Sequence, residues 1–182
     1  MSLDVFRNYL LSKFTSKEVT KYNFANSFSL ELHHETTHEE AVVLLLALAP
    51  HILPNFLDSL IKEIYPDGGE LPEIGGVRLN NHRGLLPTGE TVQWILAGEE
   101  VSERLEIIEL LKKDHWFYME DILYLEQVQE GEPFMSGRII LSQKGISLLI
   151  YGSDTVEANY NFPAQLLMTE LEWEDLVLPD LT

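Results

Sequence analysis

The sequence predicts an α+β fold, in which an N-terminal helical subdomain is followed by a winged-helix-like subdomain. Apolar residues recur at helical spacing in three stretches before residue 66 and in two more after residue 87. Beyond Asp114 the apolar period changes to the alternation that is typical of strands. This order of elements, in which helices are followed by strands and one long loop separates two of the strands, is that of a winged helix.

Composition divides the chain into four segments. We expect a helical subdomain over 1–65, a linker loop over 66–87, a winged-helix-like domain over 88–155 and an acidic extended tail over 156–182. The linker contains five glycines and three prolines, which is typical of a long loop. A short hairpin is expected within it, around Asn80.

The N-terminal segment is expected to contain three helices and one extended stretch. Helices are predicted over 3–15, 39–49 and 55–65, whereas alternating apolar residues favour a strand or extended chain over 23–32. Pro50 is expected to end the second of these helices, because proline lacks the backbone N–H that a helix interior needs.

The second half is expected to contain two helices and then three strands. Thr88 is expected to cap a helix over 88–97, and Ser102 is expected to cap a helix over 102–113. In the latter helix the residues expected to face the core are Leu105, Ile107, Ile108 and Leu111. Strands are predicted over 122–128, 138–142 and 146–151, with a tight turn at 143–145.

Composition and charge restrict the function. The absence of cysteine excludes disulfides, thiolate metal ligands and cysteine nucleophiles. The chain starts without the basic and apolar segments of a signal peptide, and its longest apolar run is short of the roughly 20 residues that span a bilayer. We therefore expect a cytoplasmic protein without membrane contact. A net charge of −18 disfavours nucleic-acid binding, which depends on cationic contacts to phosphates.

The pentapeptide HETTH matches the H-E-x-x-H signature of zinc metallopeptidases. In that chemistry His34 and His38 would bind zinc from one face of a helix, and Glu35 would act as general base. However, Thr37 followed three residues later by Glu40 is a capping box, which predicts that the helix begins between the two histidines. We therefore expect a helix cap and no bound zinc.

A second motif, GLLPTGET, has the glycine spacing of a phosphate-binding loop. The position that must be lysine is Glu90, and a carboxylate there would repel a nucleotide. The same residues are explained by a helix N-terminus that is capped by Thr88. His115 lies among three aromatic residues in the sequence and is expected to pack against them rather than to act in catalysis.

Several segments, taken in order, resemble the winged-helix region that precedes the ATPase module in a group of bacterial AAA-type ATPases, some of them encoded with contractile injection systems. These segments are LLPTGETVQWILAG (85–98), ERLEIIELL (103–111), DHWF (114–117), ILYLEQVQEGEPFMSGRIILS (122–142) and NFPA (161–164). The final LEWEDLVLPD (171–180) is similar to the entry segment of that module. The ATPase motifs that the resemblance implies would lie beyond Thr182, so no catalytic residue is carried over.

These observations favour a non-catalytic protein-interaction or regulatory region, the N-terminal part of an AAA-type ATPase, without a cofactor. Its partner would be a protein, either a substrate of the ATPase or an assembly component. Leu85 and Phe134, in the loops 67–87 and 129–137, are the candidate partner-binding residues. The alternative is a zinc-dependent metallopeptidase that uses the HETTH motif.

Overall fold

The protein has a mixed α+β fold, as expected, with one buried helix at its centre. A computed structural model describes residues 3–15, 22–67 and 72–152. The helices are α1 (Leu3–Thr15), α2 (Ser29–Leu32), α3 (His38–Ile52), α4 (Phe56–Ile64), α5 (Gly89–Ala97), α6 (Val101–Glu109), α7 (Trp116–Met119) and α8 (Gln143–Tyr151). The strands are β1 (Leu123–Leu125) and β2 (Ile139–Leu141), and a 3-10 turn spans Phe134–Ser136. The expected tail over 156–182 lies outside the described residues.

Helix α3 is the centre of the core. All its residues from Glu40 to Pro50 are buried, and it packs against α4, α5 and β2. A helix that is apolar on every side must be covered on every side. Pro50 was expected to end this helix, which instead continues to Ile52. Beyond the proline the Leu53 N–H donates to the Ala49 oxygen. Pro50 lacks only its own N–H, so it removes one bond from a turn that packing already holds.

The N-caps of α3 and α5 are the threonines that the sequence predicts, Thr37 and Thr88. The Thr37 hydroxyl accepts from the Glu40 N–H and the Glu40 carboxylate accepts from the Thr37 N–H, so the capping box is confirmed. Thr88 caps α5 in the same way, with Thr91 as its reciprocal partner. The helix predicted over 3–15 is confirmed as α1, and that over 55–65 closely matches α4.

The extended stretch predicted over 23–32 is wrong. Residues 25–28 form a turn and 29–32 form α2. The side chain of Asn26, whose φ is 58°, accepts from the Thr36 N–H, and the Asn26 N–H donates to the Thr36 oxygen. Asparagine tolerates this left-handed conformation, and its pairing with Thr36 folds the segment back instead of extending it.

Helix α6 begins one or two residues earlier than predicted, and it also ends earlier than predicted. Its N-cap is Glu100 instead of Ser102, and it ends at Glu109 instead of 113. Ile107 is buried as expected, and Leu111 packs against the core from the turn that follows the helix. Leu105 was expected to face the core and is exposed instead.

The two strands form an antiparallel pair in which Leu123, Tyr124 and Leu125 lie opposite Leu141, Ile140 and Ile139. They are shorter than the strands predicted over 122–128 and 138–142: β1 covers the first half of one and β2 the centre of the other. On its other edge β2 meets the start of α5, because the Ile139 N–H donates to the Pro87 oxygen. The expected hairpin around Asn80 is confirmed by a pair of hydrogen bonds between Val77 and Leu86.

The strand predicted over 146–151 and the turn over 143–145 are wrong, because this segment is helix α8. Ser142 caps it by accepting from the Gly145 N–H, and its own hydroxyl donates to the Asp121 oxygen. Gly152 ends the helix in the left-handed conformation. The apolar run ISLLIY has no clear period, so these caps decide its structure.

One cluster of buried apolar residues runs through both halves of the chain, from Phe6 in α1 to Leu148 in α8. The division into subdomains at 66–87 remains a prediction. Among the described residues, no single helix is long and apolar enough to cross a membrane. Helices α3 and α4 satisfy that test only as a pair, and they are bent by 107° at the break between them.

Gly145→Ala is expected to destabilise the protein by about 1–3 kcal/mol, although alanine favours a helix over glycine by about 1 kcal/mol. A Cβ at this position would lie 2.3 Å from the backbone oxygen of Ile122. Urea unfolding followed by circular dichroism measures the change. Gln143→Ala, at an exposed position of the same helix, is the control and should stay within about 0.5 kcal/mol. A stabilised Gly145→Ala protein would contradict the packing of α8.

Candidate functional site

The structure separates the two histidines of the HETTH motif. His34 precedes α3 and stacks on the indole of Trp116, with 4.2 Å between the ring centroids. His38 is the first residue of α3 and packs against the rings of both Tyr9 and Phe24. Glu35 is exposed between them. The three residues of the motif therefore contact different neighbours and do not point toward one common site.

Both ring nitrogens of His38 have partners. Nδ1 accepts from the Phe24 N–H at 3.1 Å, which leaves the proton of the neutral ring on Nε2, where it donates to the Tyr9 hydroxyl at 3.3 Å. Burial lowers the pKa of His38, more than the negative charge of Glu39 raises it. Burial also raises the pKa of Tyr9 to about 12. The neutral imidazole is thus a structural link between α1, the segment before α2, and α3.

Sequence reasoning missed the polar centre of the molecule, the carboxylate of Glu40. This side chain is only 7% exposed. Its Oε1 accepts from Trp116 Nε1 at 2.6 Å and from His115 Nε2 at 3.1 Å, and its Oε2 accepts from the Thr37 N–H at 2.7 Å. Burial alone would raise the pKa of Glu40, but the hydrogen bonds from Thr37 and Trp116 and the electrostatic interaction with His115 lower it below its usual range.

His115 is the second member of this centre. Its Nδ1 accepts from the Phe117 N–H at 3.2 Å, so it caps α7, and its Nε2–H donates to Glu40. Burial lowers the pKa of His115, although the charge of Glu40 and the hydrogen bond to it act in the opposite direction. The expectation that His115 packs among its aromatic neighbours is confirmed by its contact with Phe117, at 4.6 Å between centroids.

The described residues contain no group of three or more His, Asp or Glu side chains arranged to hold a metal ion. In the second motif, Thr88 and Thr91 are buried and satisfy each other's backbone N–H groups at the start of α5. Glu90 lies in the first turn of that helix, where a negative charge is favoured by the helix dipole. Both motifs therefore act locally as helix caps.

An exposed apolar surface lies on α6. Val101 and Leu105 are 68% and 60% exposed, and Ile108 is half-buried on the same face, since residues three and four apart are neighbours on a helix. We call these three residues the α6 stripe. The opposite face of the helix packs on α5 through Ile107, and Gln93 donates to the Arg104 oxygen. The stripe is thus fixed to the core by the other face of α6, and its Val101 and Leu105 side chains are left exposed in the described protein.

The two predicted partner-binding residues differ in exposure. Phe134 is 54% exposed in the 3-10 turn between the strands. Leu85 is half-buried, packs against the core, and donates its backbone N–H to Asp58. Both remain candidates, but Leu85 offers much less free apolar surface than Phe134 or the α6 stripe.

Comparisons with family models, with curated proteins and with solved structures find no match for this chain.

Replacing Glu40 by alanine is expected to lower the free energy of unfolding by about 3 kcal/mol or more, because it leaves three buried or half-buried donors without an acceptor. Glu40→Gln should cause a smaller loss, since its amide oxygen still accepts. Glu39→Ala, an exposed neighbour in the same helical turn, is the control and should cost at most about 1 kcal/mol. Urea unfolding measures all three. A loss in Glu40→Ala no larger than in the control would contradict the proposed role of this carboxylate.

Stability is expected to fall as the pH drops from 7.5 to 5.5. The pKa values of His38 and His115 are lowered in the folded protein relative to about 6.5 in an unfolded chain, so the unfolded chain takes up protons first. The contribution is complete above about pH 6.5 and is lost as the pH falls through the folded pKa values. Urea midpoints at three pH values measure it.

His38→Gln should flatten this pH dependence, whereas Glu35→Gln, at an exposed position of the same segment, should leave it unchanged. A midpoint that stays constant or rises on acidification would show that neither histidine is held neutral by the fold.

Proposed function

We propose that this chain is a non-catalytic protein-interaction region and that it binds its partner through the α6 stripe. The main support for this proposal is the exposure of Val101 and Leu105, which lie one helical turn apart on a helix whose other face is fixed to the core. Single exposed apolar residues are common on protein surfaces. Two large ones aligned on one face are the pattern by which a helix binds in a groove of a partner.

Burial of the α6 stripe would contribute enough free energy for binding. Fully burying a Val or Leu side chain contributes about 1.5–3 kcal/mol, and each 1.4 kcal/mol is a tenfold change in affinity. Because both side chains start more than half exposed, a partner that covers them gains most of this energy. The side chains are also presented by a formed helix, so little ordering of α6 opposes binding.

Charge indicates what kind of surface fits the stripe. Glu109 lies beside it on α6, four residues after Leu105, and Arg104 lies on its other side, three residues after Val101. The whole chain carries −18. Lys112 pairs with Glu109 at 2.5 Å, and Glu106, next to Leu105, forms no ion pair with the described residues. A partner with an apolar groove and basic side chains at its rim complements this surface, whereas a phosphate backbone does not.

The ATPase context of the proposal is supported by the order of segments that resemble the winged-helix region of AAA-type ATPases. In the described protein α5, α6, β1 and β2 follow that order. The place of the third strand is taken by α8, so the detailed winged-helix part of the proposal rests on the first four elements. Tethering such a region to a motor raises the effective concentration of a bound substrate or assembly component without needing a tight interface.

The double substitution Val101→Ser and Leu105→Ser is expected to weaken partner binding at least tenfold while leaving the unfolding midpoint nearly unchanged, because both positions are exposed. Binding is measured by quantitative pull-down from native lysate, with the captured protein identified and then titrated as a purified partner. Ser102→Ala with Glu103→Gln, exposed on α6 outside the stripe, is the matched control.

Two outcomes would contradict the proposal. The first is a specific partner whose affinity is the same for the double variant and the control. The second is peptidase activity of residues 1–182 that Glu35→Gln abolishes, because that result would favour the zinc peptidase alternative.

A further inference from the structure

A cavity of about 290 Å³ lies between the C-terminal end of α3, the hairpin at 77–86 and the outer edge of β2. We call it the β2 cleft. Its apolar walls include Ala47, Pro50, Leu79 and Pro87, and two histidines, His51 and His82, lie at its lining. A volume at the lower end of the range for ligand pockets suits one large side chain rather than a cofactor.

The floor of the β2 cleft is a strand edge that is only partly paired. Ile139 donates its N–H to Pro87, but two residues earlier the Leu85 N–H donates to the Asp58 carboxylate instead of pairing with Leu141. The N–H of Ser142 bonds to Ile122 on the β1 side, so the N–H of Leu141 is directed to the opposite edge. It has no hydrogen-bond partner among the described residues, and an added extended chain would supply one.

The hairpin beside the cleft has a charge opposite to that of the rest of the chain. Residues 74–89 contain no acidic side chain but two arginines and one histidine, in a protein of net charge −18. Arg78 pairs with Asp58, and Arg138 in the cleft pairs with Glu126 at 2.6 Å. The guanidinium of Arg83 forms no ion pair in the described part of the chain, and the buried Nε2 of His82 has no hydrogen-bond partner there. These groups complement an acidic ligand.

We propose that the β2 cleft binds the chain's own acidic C-terminal segment, centred on residues 170–174. This segment lies outside the described residues. Residues 153–182 carry seven acidic side chains and no basic one. Within TELEWED, glutamates occupy 170, 172 and 174, and they alternate with Leu171 and Trp173. Along a strand, alternate side chains point to opposite faces, so the glutamates would meet the hairpin and Trp173 would enter the apolar cavity.

The length of chain permits this arrangement. The described protein ends with α8, which packs on β2 and on α2. The 17 residues between Gly152 and Glu170 can span up to about 60 Å when extended. A folded domain of this size is about 40 Å across, so the segment reaches the cleft from any point of the surface. The inference is independent of the α6 stripe, which lies on another helix.

The experiment uses the full 182-residue chain, which has no native cysteine, so two introduced cysteines give one defined disulfide. Asn80→Cys, exposed at the tip of the hairpin, is combined with Thr169→Cys, next to the glutamates. The control combines Ser102→Cys, exposed on α6, with the same Thr169→Cys. Intramolecular disulfide formation in a mild glutathione buffer is followed by mass spectrometry.

We expect the disulfide between 80 and 169 to form at least tenfold faster than the one between 102 and 169. Changing Glu170, Glu172 and Glu174 to glutamine in that variant should reduce its rate to that of the control, whereas Asp154→Asn with Glu157→Gln should not. Equal rates at the two positions would overturn the proposal. Disulfide-linked dimers in place of the intramolecular bond would also overturn it, and would assign the cleft to the tail of a second copy.

Discussion

The burial of α3 is the constraint on which the rest of the structure depends. From Glu40 to Pro50 no side of this helix faces solvent, so elements from both sides of the Gly/Pro-rich loop must cover it. Glu40 is the one charged side chain in that run, and a buried carboxylate is tolerated only when donors surround it. The position of α7 follows from this need, because His115 and Trp116 are the residues that bring those donors.

This carboxylate also explains how much of the site could be predicted. The pairing of Glu40 with Thr37 is local, so the capping box was visible in the sequence and proved correct. The other oxygen is satisfied by residues 75 and 76 positions away, and no pattern of spacing indicates a contact of that range. The glutamate that looked like a surface cap is therefore half of a buried polar link between distant segments.

The errors in the predicted fold have a common physical cause. At 146–151 the apolar residues fit both a strand and a helix, and the choice was made by Ser142 and Gly152, which cap the two ends. In α6 the apolar residues outnumber the positions that can face α5, so Ile107 is buried and Leu105 is left outside. A sequence pattern shows that a residue is apolar but not which neighbour is present to cover it. The apolar residues of α6 that do not face α5 form the exposed surface that we propose for binding.

The HETTH motif illustrates why a short catalytic signature and a structural role compete for the same atoms. A zinc ligand needs a ring nitrogen with a free lone pair. In His38 the lone pair of Nδ1 accepts from Phe24, and Nε2 carries the proton that is given to Tyr9. The ring of His34, which precedes α3, stacks on the indole of Trp116. To bind one metal ion, the two rings would have to leave these contacts and the Thr37 cap would have to open, so that metal binding would act against the packing that holds α3 in place.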